Sequence, residues 1–440
     1  MVGITKMKAE KQKAEKEAFF CTTKELSRLG MEQIPTQFQS HKHLIYSSPA
    51  TLAFNSPGAE GFGVKRAGLA VPDSIMLIVA PGCCGRNTSL ISLMKEYNDR
   101  FYYLMMDETD IVTGRHLKKI PKAVEEICSV CPKKPSVVMI CITCVDALLG
   151  TDMERVCKKA EEQVEIPVRP CYMYALTREG RKPPMVHVRQ SLYSLLEPGK
   201  KKGNVVNLLG FFSPLVDDCE IYDLLHSAGV KTIHEISRCK DYMEYQTMSE
   251  ANFNLVLHHE ARFAAEDFHN RLQIPFIELR RLYQIDKIEN QYHALGNALG
   301  VAFYDEKYKK QAEDALEKFR QKCPDASFAI GECLNADPFE LSLALIRYGF
   351  SVPEIYGTIT VENFTYIRSL AKISPETKVF SNMEPTMIYY DPAKSDVNLA
   401  IGKDACYYHP DCPYVMWNGE EQPYGYAGVR RLFEQLLEVV

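Results

Sequence analysis

At 440 residues, with 46% hydrophobic and 25% charged residues, the chain has the composition of a folded globular protein too long for a single core. Its net charge of −5 offers no basic face for nucleic acid, and no run of about 18 apolar residues is present to cross a membrane. Fifteen cysteines without an apolar leader point to a reducing, cytoplasmic setting and away from a disulfide framework.

In chain order, Met1–Glu17 is rich in lysine and glutamate and opens an N-terminal arm over 1–43, read as an exposed helix or a partner-binding arm. A first α/β domain is expected over 44–200, with strands at Ser74–Ala80, Phe101–Met105, Ser136–Ile142 and Pro167–Cys171. Two of these strands run into cysteine turns. Ser74–Ala80 is followed by Pro81-Gly82-Cys83-Cys84-Gly85, and Ser136–Ile142 contains Cys141 and leads into Thr143-Cys144. A strand, a Gly or Pro turn and a helix, repeated, places successive turns on one carboxyl edge of a parallel sheet. Thiols 60 positions apart, Cys84 and Cys144, then meet in space. Thiolates gathered at such an edge suit soft-metal chemistry, with iron–sulfur first.

The run Glu197–Asn204 reads as a linker. A second α/β domain over 201–322 has strands at Val205–Gly210, Lys231–Ile236, Asn252–Leu257 and Ile274–Leu279, and helices at Asp217–Ala228 and Glu260–Leu272. The charged helix Tyr304–Lys322 leads into a third domain over 323–440. That domain starts with the strand Ala326–Gly331 and continues with the helix Pro338–Tyr348 and strands at Lys378–Phe380 and Val397–Ile401. It ends in the helix Ala427–Leu437. The architecture expected is three Rossmann-like parallel-sheet domains around a central cleft.

Several familiar motifs fail on spacing. Gly82–Ser89 lacks the lysine of a phosphate loop, and Ser89 and Leu90 stand where a cysteine phosphatase needs arginine. Gly58–Gly63 precedes its strand, and Phe263 replaces the second histidine of a zincin. Cys141-x-x-Cys144 is compatible with a thiol–disulfide pair. Cys128, Cys157, Cys171, Cys219, Cys239, Cys323 and Cys333 read as core thiols.

The ordered set Asn55-Ser-Pro-Gly-Ala59, Pro81-Gly82-Cys83-Cys84-Gly85, Asp110-Ile-Val-Thr-Gly114, Thr143-Cys144 and Gly150-Thr-Asp152 resembles the nitrogenase component 1 family. That family includes relatives acting in protochlorophyllide reduction and nickel-tetrapyrrole synthesis. Asn254-Leu-Val256, Gln273-Ile-Pro275, Val397–Gly402 and Tyr424–Gly428 extend the resemblance toward the carboxyl end. It implies a nitrogenase component 1-like fold and an iron–sulfur cluster, [4Fe-4S] or P-cluster-like, shared with a partner subunit. Cys83, Cys84 and Cys144 would be its metal ligands, with Gly82 and Gly85 giving the backbone room to approach. Two or three thiols are too few for a cubane, so a second component 1-like subunit is expected to complete the site.

The resemblance also shows departures. The family's first cysteine falls at or near Asn55, where Asn55, Glu60 or a partner residue would serve. His258 or His259 stands where molybdenum nitrogenase has a cofactor cysteine, and Val415 or Met416 stands at its cofactor histidine. A nitrogen-fixing cofactor held in that manner is therefore not expected. His258 and His259 end a strand of the second domain and are expected cofactor-binding residues, with strand alternation sending one of them into the cleft. Arg115-His116 and Lys65-Arg66 read as solvated or interface charges.

The function expected is a subunit of a nitrogenase-like oxidoreductase. It would take electrons from a separate ATP-dependent iron–sulfur reductase, since this chain has no Walker motif, and pass them to a substrate or cofactor in the cleft. The alternative is a scaffold for metallocofactor assembly without turnover. A thiol-based sensing protein without metal is the third class.

Overall fold

The computed structural model describes residues 17–39, 64–82, 97, 99–143, 145, 149–172 and 182–440. Strand β1 (Phe20–Thr22) leads into helix α1 (Thr23–Leu29), whose start is fixed by a reciprocal cap between Thr22 and Glu25.

The first sheet contains β2 (Ile75–Ala80), β3 (Phe101–Met105), β4 (Val138–Ile142) and β5 (Val168–Tyr172), all parallel, in the order β3-β2-β4-β5. β2 and β4 are buried along their whole length, as a sheet covered on both faces requires. Ile75, Leu77, Val79, Ile140 and Ile142 pack on helices α2 (His116–Val130) and α3 (Met153–Val164). Met76, Ile78, Ala80 and Met139 face the other way, toward α4 (Pro184–Tyr193). Each such buried aliphatic side chain contributes about 1.5–3 kcal/mol.

The second sheet contains β6 (Val205–Leu209), β7 (Thr232–His234), β8 (Phe253–Val256) and β9 (Phe276–Glu278), again parallel, in the order β7-β6-β8-β9. Helices α5 (Glu220–Ser227), α6 (Arg262–Leu272), α7 (Ile285–Leu299) and α8 (Glu306–Lys322) accompany it. Val205, Leu209 and Val256 share one apolar core with α4 and the inner face of the first sheet, so the two sheets are joined through packed side chains.

The third sheet contains β10 (Ser327–Ile330), β11 (Ser351–Tyr356), β12 (Lys378–Phe380), β13 (Leu399–Ile401) and β14 (Tyr414–Val415). Its order is β1-β12-β11-β10-β13-β14, with only β1 antiparallel. Helices α9 (Pro338–Arg347), α10 (Phe364–Ile373) and α11 (Gly425–Val439) cover it. Phe319 of α8 and Phe433 of α11 meet at 5.6 Å between ring centres, tying the second unit to the third.

The three sheets have one property in common. In each, the chain leaves its first strand in one direction and later returns on that strand's other side, creating a switch point at the carboxyl edge. These points lie between β2 and β4, between β6 and β8, and between β10 and β13. Among the described residues no helix is long and apolar enough to cross a membrane.

Candidate functional site

The first switch point is where the cysteine turns leave the sheet. Register pairs Val79 of β2 with Ile142 of β4, so Gly82 and Thr143 follow within three residues of a pair on adjacent strands about 4.8 Å apart. Cys83, Cys84, Gly85 and Cys144 lie outside the described residues, as does Asn55. Two observations at this edge fit a metal–sulfide group. A Cβ at Gly82 would meet no heavy atom of the described residues within 4 Å. Thr143 is 1% exposed and its hydroxyl has no hydrogen-bond partner among the described residues, leaving a buried donor in place for a further acceptor. Cys141 is buried in the core beneath, in register with Cys171, so the thiol-pair reading of Cys141 and Cys144 gains nothing from this packing.

The second switch point opens onto a cavity of about 480 Å³ between the second and third sheets. β6 delivers Phe211, Phe212 and Ser213 to it, and β8 delivers His258 and His259. The two loops nearly touch. Gly210 has φ +143°, and a Cβ there would lie 2.8 Å from the His258 backbone nitrogen, so only glycine lets the chains pass this closely.

Both histidines line this cavity, with rings stacked at 4.5 Å. This corrects the expectation that alternation would separate them. β8 ends at Val256, and His259 already begins a 3-10 turn, so the period of two no longer applies. The His258 ring accepts a bond from the Glu260 backbone N–H at 3.4 Å. Burial, then the nearby Arg189 charge, holds the His258 pKa well below the ordinary imidazole value, so the ring is neutral at pH 7, with its Nδ1 lone pair engaged by the Glu260 N–H.

Arg189, from α4, braces this corner. Its guanidinium donates twice to the Gly210 carbonyl, at 2.6 and 3.1 Å, and once to Glu260 at 2.7 Å, and it lies 4.6 Å over Phe212. On the opposite wall Arg262 grips Glu278 with two bonds of 2.6 and 2.7 Å. Asp337 caps α9 from the third unit, and burial pushes its pKa up to about 6.

Of the charges read as solvated or interface residues, Arg115 is half-exposed, while His116 and Arg66 are buried. The Asp110 carboxylate is fully buried and accepts from Arg115 at 2.8 Å and Lys119 at 2.6 Å, while His116 packs beneath it at 1% exposure. Arg66 is 4% exposed and reaches across to Glu420 at 2.7 Å. Of the cysteines read as core thiols, Cys128, Cys239, Cys323 and Cys333 are only half-buried. Cys157, Cys171 and Cys219 are buried, and burial raises their thiol pKa values, which keeps them unreactive. Arg189, Arg281, Gln422 and Thr143 escaped the sequence reading. Only the Arg280-Arg281 doublet just past a strand carried a visible signal.

A model of the family described as "Nitrogenase component 1 type Oxidoreductase" matches residues 60–440. The chain belongs to this family. Among curated relatives, the "Nitrogenase iron-molybdenum cofactor biosynthesis protein NifE" of Sinorhizobium fredii is 25% identical over 355 residues, covering 75% of this chain and 70% of that protein. The protein of the same name from Mesorhizobium japonicum is 25% identical over 418 residues, covering 89% and 82%. The one from Nostoc is 25% identical over 278 residues, covering 60% and 57%. The solved structure "Nitrogenase Cp1 at pH 6.5" aligns with a TM-score of 0.68 at 18% identity, over 87% of this chain and 91% of that one. The family fold is therefore that of nitrogenase component 1.

Proposed function

We propose that the protein is a scaffold for metallocofactor assembly, rather than a reductase turning over its own substrate. The cleft carries this reading. It places His258 beside His259, rings stacked at 4.5 Å, on a cavity of about 480 Å³ between the second and third sheets that is large enough to hold a guest. The relatives named for cofactor biosynthesis support the same choice over the turnover reading.

In this reading Cys83, Cys84 and Cys144 hold an iron–sulfur cluster at the first switch point, completed by a second component 1-like subunit. A cluster bound there supplies one-electron transfer. A separate ATP-dependent iron–sulfur reductase is the electron source. The chain's own tasks are defined by its side chains. Thr143 offers a hydroxyl proton at the cluster edge, His258 and His259 line the cleft, and Arg189 fixes the loops that carry the histidines.

The test is anaerobic purification with the natural partner, followed by iron and sulfide analysis and transfer to an acceptor. Bound iron that moves to the acceptor, and is lost in Cys84→Ala or Cys144→Ala, is the expected result. Iron-free protein would overturn the reading. Steady substrate reduction with the reductase and ATP would restore the turnover role.

A further inference from the structure

Helix α2 ends in a pair of thiols that the cluster reading does not use. Cys128 lies in its last turn and Cys131 caps it, and the Cys131 N–H still bonds to the Ile127 carbonyl at 3.0 Å. Residues three apart on a helix share a face, with Cβ atoms about 5–6 Å apart. Both side chains pack on the core between the first sheet and helices α2 and α3, together with Tyr102 of β3, whose hydroxyl lies 3.1 Å from Cys131 Sγ. Both thiols are half-buried, so solvent reaches them. Cys141 and Cys171 are also neighbours, in register on β4 and β5, but each is 0% exposed. Lys133 pairs with Asp73 at 2.6 Å and the Ser136 N–H bonds to the Asp73 carbonyl at 3.1 Å, so the chain leaving Cys131 lies at the amino edge of β2 and β4. The cysteine turns lie at the other edge, roughly 13 Å away along the five residues of β4.

We propose that Cys128 and Cys131 form a reversible dithiol–disulfide site, oxidised by exchange with a low-molecular-weight disulfide. One cysteine sulfur attacks that disulfide, forming a mixed disulfide and releasing one small thiol. The other cysteine sulfur then attacks the mixed disulfide, closes the Cys128–Cys131 bond and releases the second small thiol. The two cysteine protons end on the two released thiols, so the pair loses two electrons and the small disulfide gains them. Burial, then the neighbouring Cys131, raises the Cys128 pKa, so that thiol stays protonated at rest. A relaxed disulfide needs Cβ atoms about 3.5–4.5 Å apart, closer than a helical turn brings them. Closure therefore strains the end of α2, and a strained bond is readily reduced again. That end can give, because Cys131 has ψ 131°, outside the helix, and Pro132 follows it. Closure also draws the Cys131 sulfur from the Tyr102 hydroxyl, which links the thiol state to β3, the outermost strand of the sheet.

Equilibration of the full-length protein with glutathione, at graded ratios of the oxidised to the reduced form, provides the test. Free thiols are then alkylated, and the tryptic peptide over 123–133, which carries both cysteines, is measured by mass spectrometry. The parent should form an internal Cys128–Cys131 disulfide as the oxidised share rises and lose it when reduced glutathione is restored, while Cys157, Cys171 and Cys219 remain thiols. In Cys131→Ser a glutathione adduct should persist on Cys128, because the second displacement is lost. Tyr102→Phe, which keeps both thiols, should favour the disulfide by about two- to tenfold, the worth of one neutral hydrogen bond made by the reduced form. A parent peptide that stays a dithiol, or carries separate glutathione adducts, at every ratio would overturn the proposal. So would a bridge that survives excess reduced glutathione. The readout is confined to one peptide, so failure of the metal-holding role would leave it unmoved.

Discussion

The second and third sheets have equivalent switch points, and the chain treats them in opposite ways. Between β10 and β13 the edge is filled. The Asp404 carboxylate accepts from the Glu332 and Cys333 backbone N–H groups at 2.8 and 2.9 Å and from the Asn382 amide at 2.6 Å. A Cβ at Gly331 would lie only 2.1 Å from Asp404 Oδ1. Between β6 and β8 no acidic side chain plugs the gap, and the edge opens into the cavity lined by Phe211, His258 and Arg281. The same topology therefore yields a closed structural joint in one sheet and a binding site in another. The side chain just past the strand decides which it becomes.

The largest expected effect is at the closed joint. Gly331→Ala forces its new methyl into Asp404 and should cost about 3 kcal/mol, read as a lower denaturant midpoint, while iron per folded molecule stays constant. At the open joint, Arg189→Met removes the donor to Gly210 and Glu260 and should cost about 2–3 kcal/mol. Unlike Gly331→Ala, it should also reduce metal held in the cleft. At the first switch point, Thr143→Val deletes a buried hydroxyl without a partner. The metal-free protein should become up to about 1 kcal/mol more stable, while the iron-loaded form should show an altered electron paramagnetic resonance signal. A pH dependence is expected as well. Burial, aided by Lys182, lowers the His187 pKa from the usual 6.5 to about 4. Between those values the unfolded chain takes up a proton that the folded one refuses, so stability falls as pH drops from about 6.5 to about 4. His187→Gln should flatten that slope in unfolding midpoints measured across the window.

Much of this was legible in the sequence. β3 and β12 lie where their apolar runs place them, and both cysteine turns follow buried strands of one parallel sheet. Other strands of the third sheet were not legible. β14 is two residues long, and β11 carries Pro353 and a buried Glu354 that interrupt its apolar pattern. β1 pairs with β12 across more than 350 residues, a partnership no local pattern encodes. The open cleft was legible only in part. His258 and His259 stand at a strand end, but their shared orientation depends on a 3-10 turn.

The most direct measurement is diffraction at the iron absorption edge from crystals of the anaerobically prepared protein with its partner subunit. Anomalous density beside Cys84 and Cys144 and in the cleft near His258, with none at Asp404, is the predicted pattern. Iron-loaded crystals with density at neither open switch point, or with density at the Asp404 joint, would contradict the account.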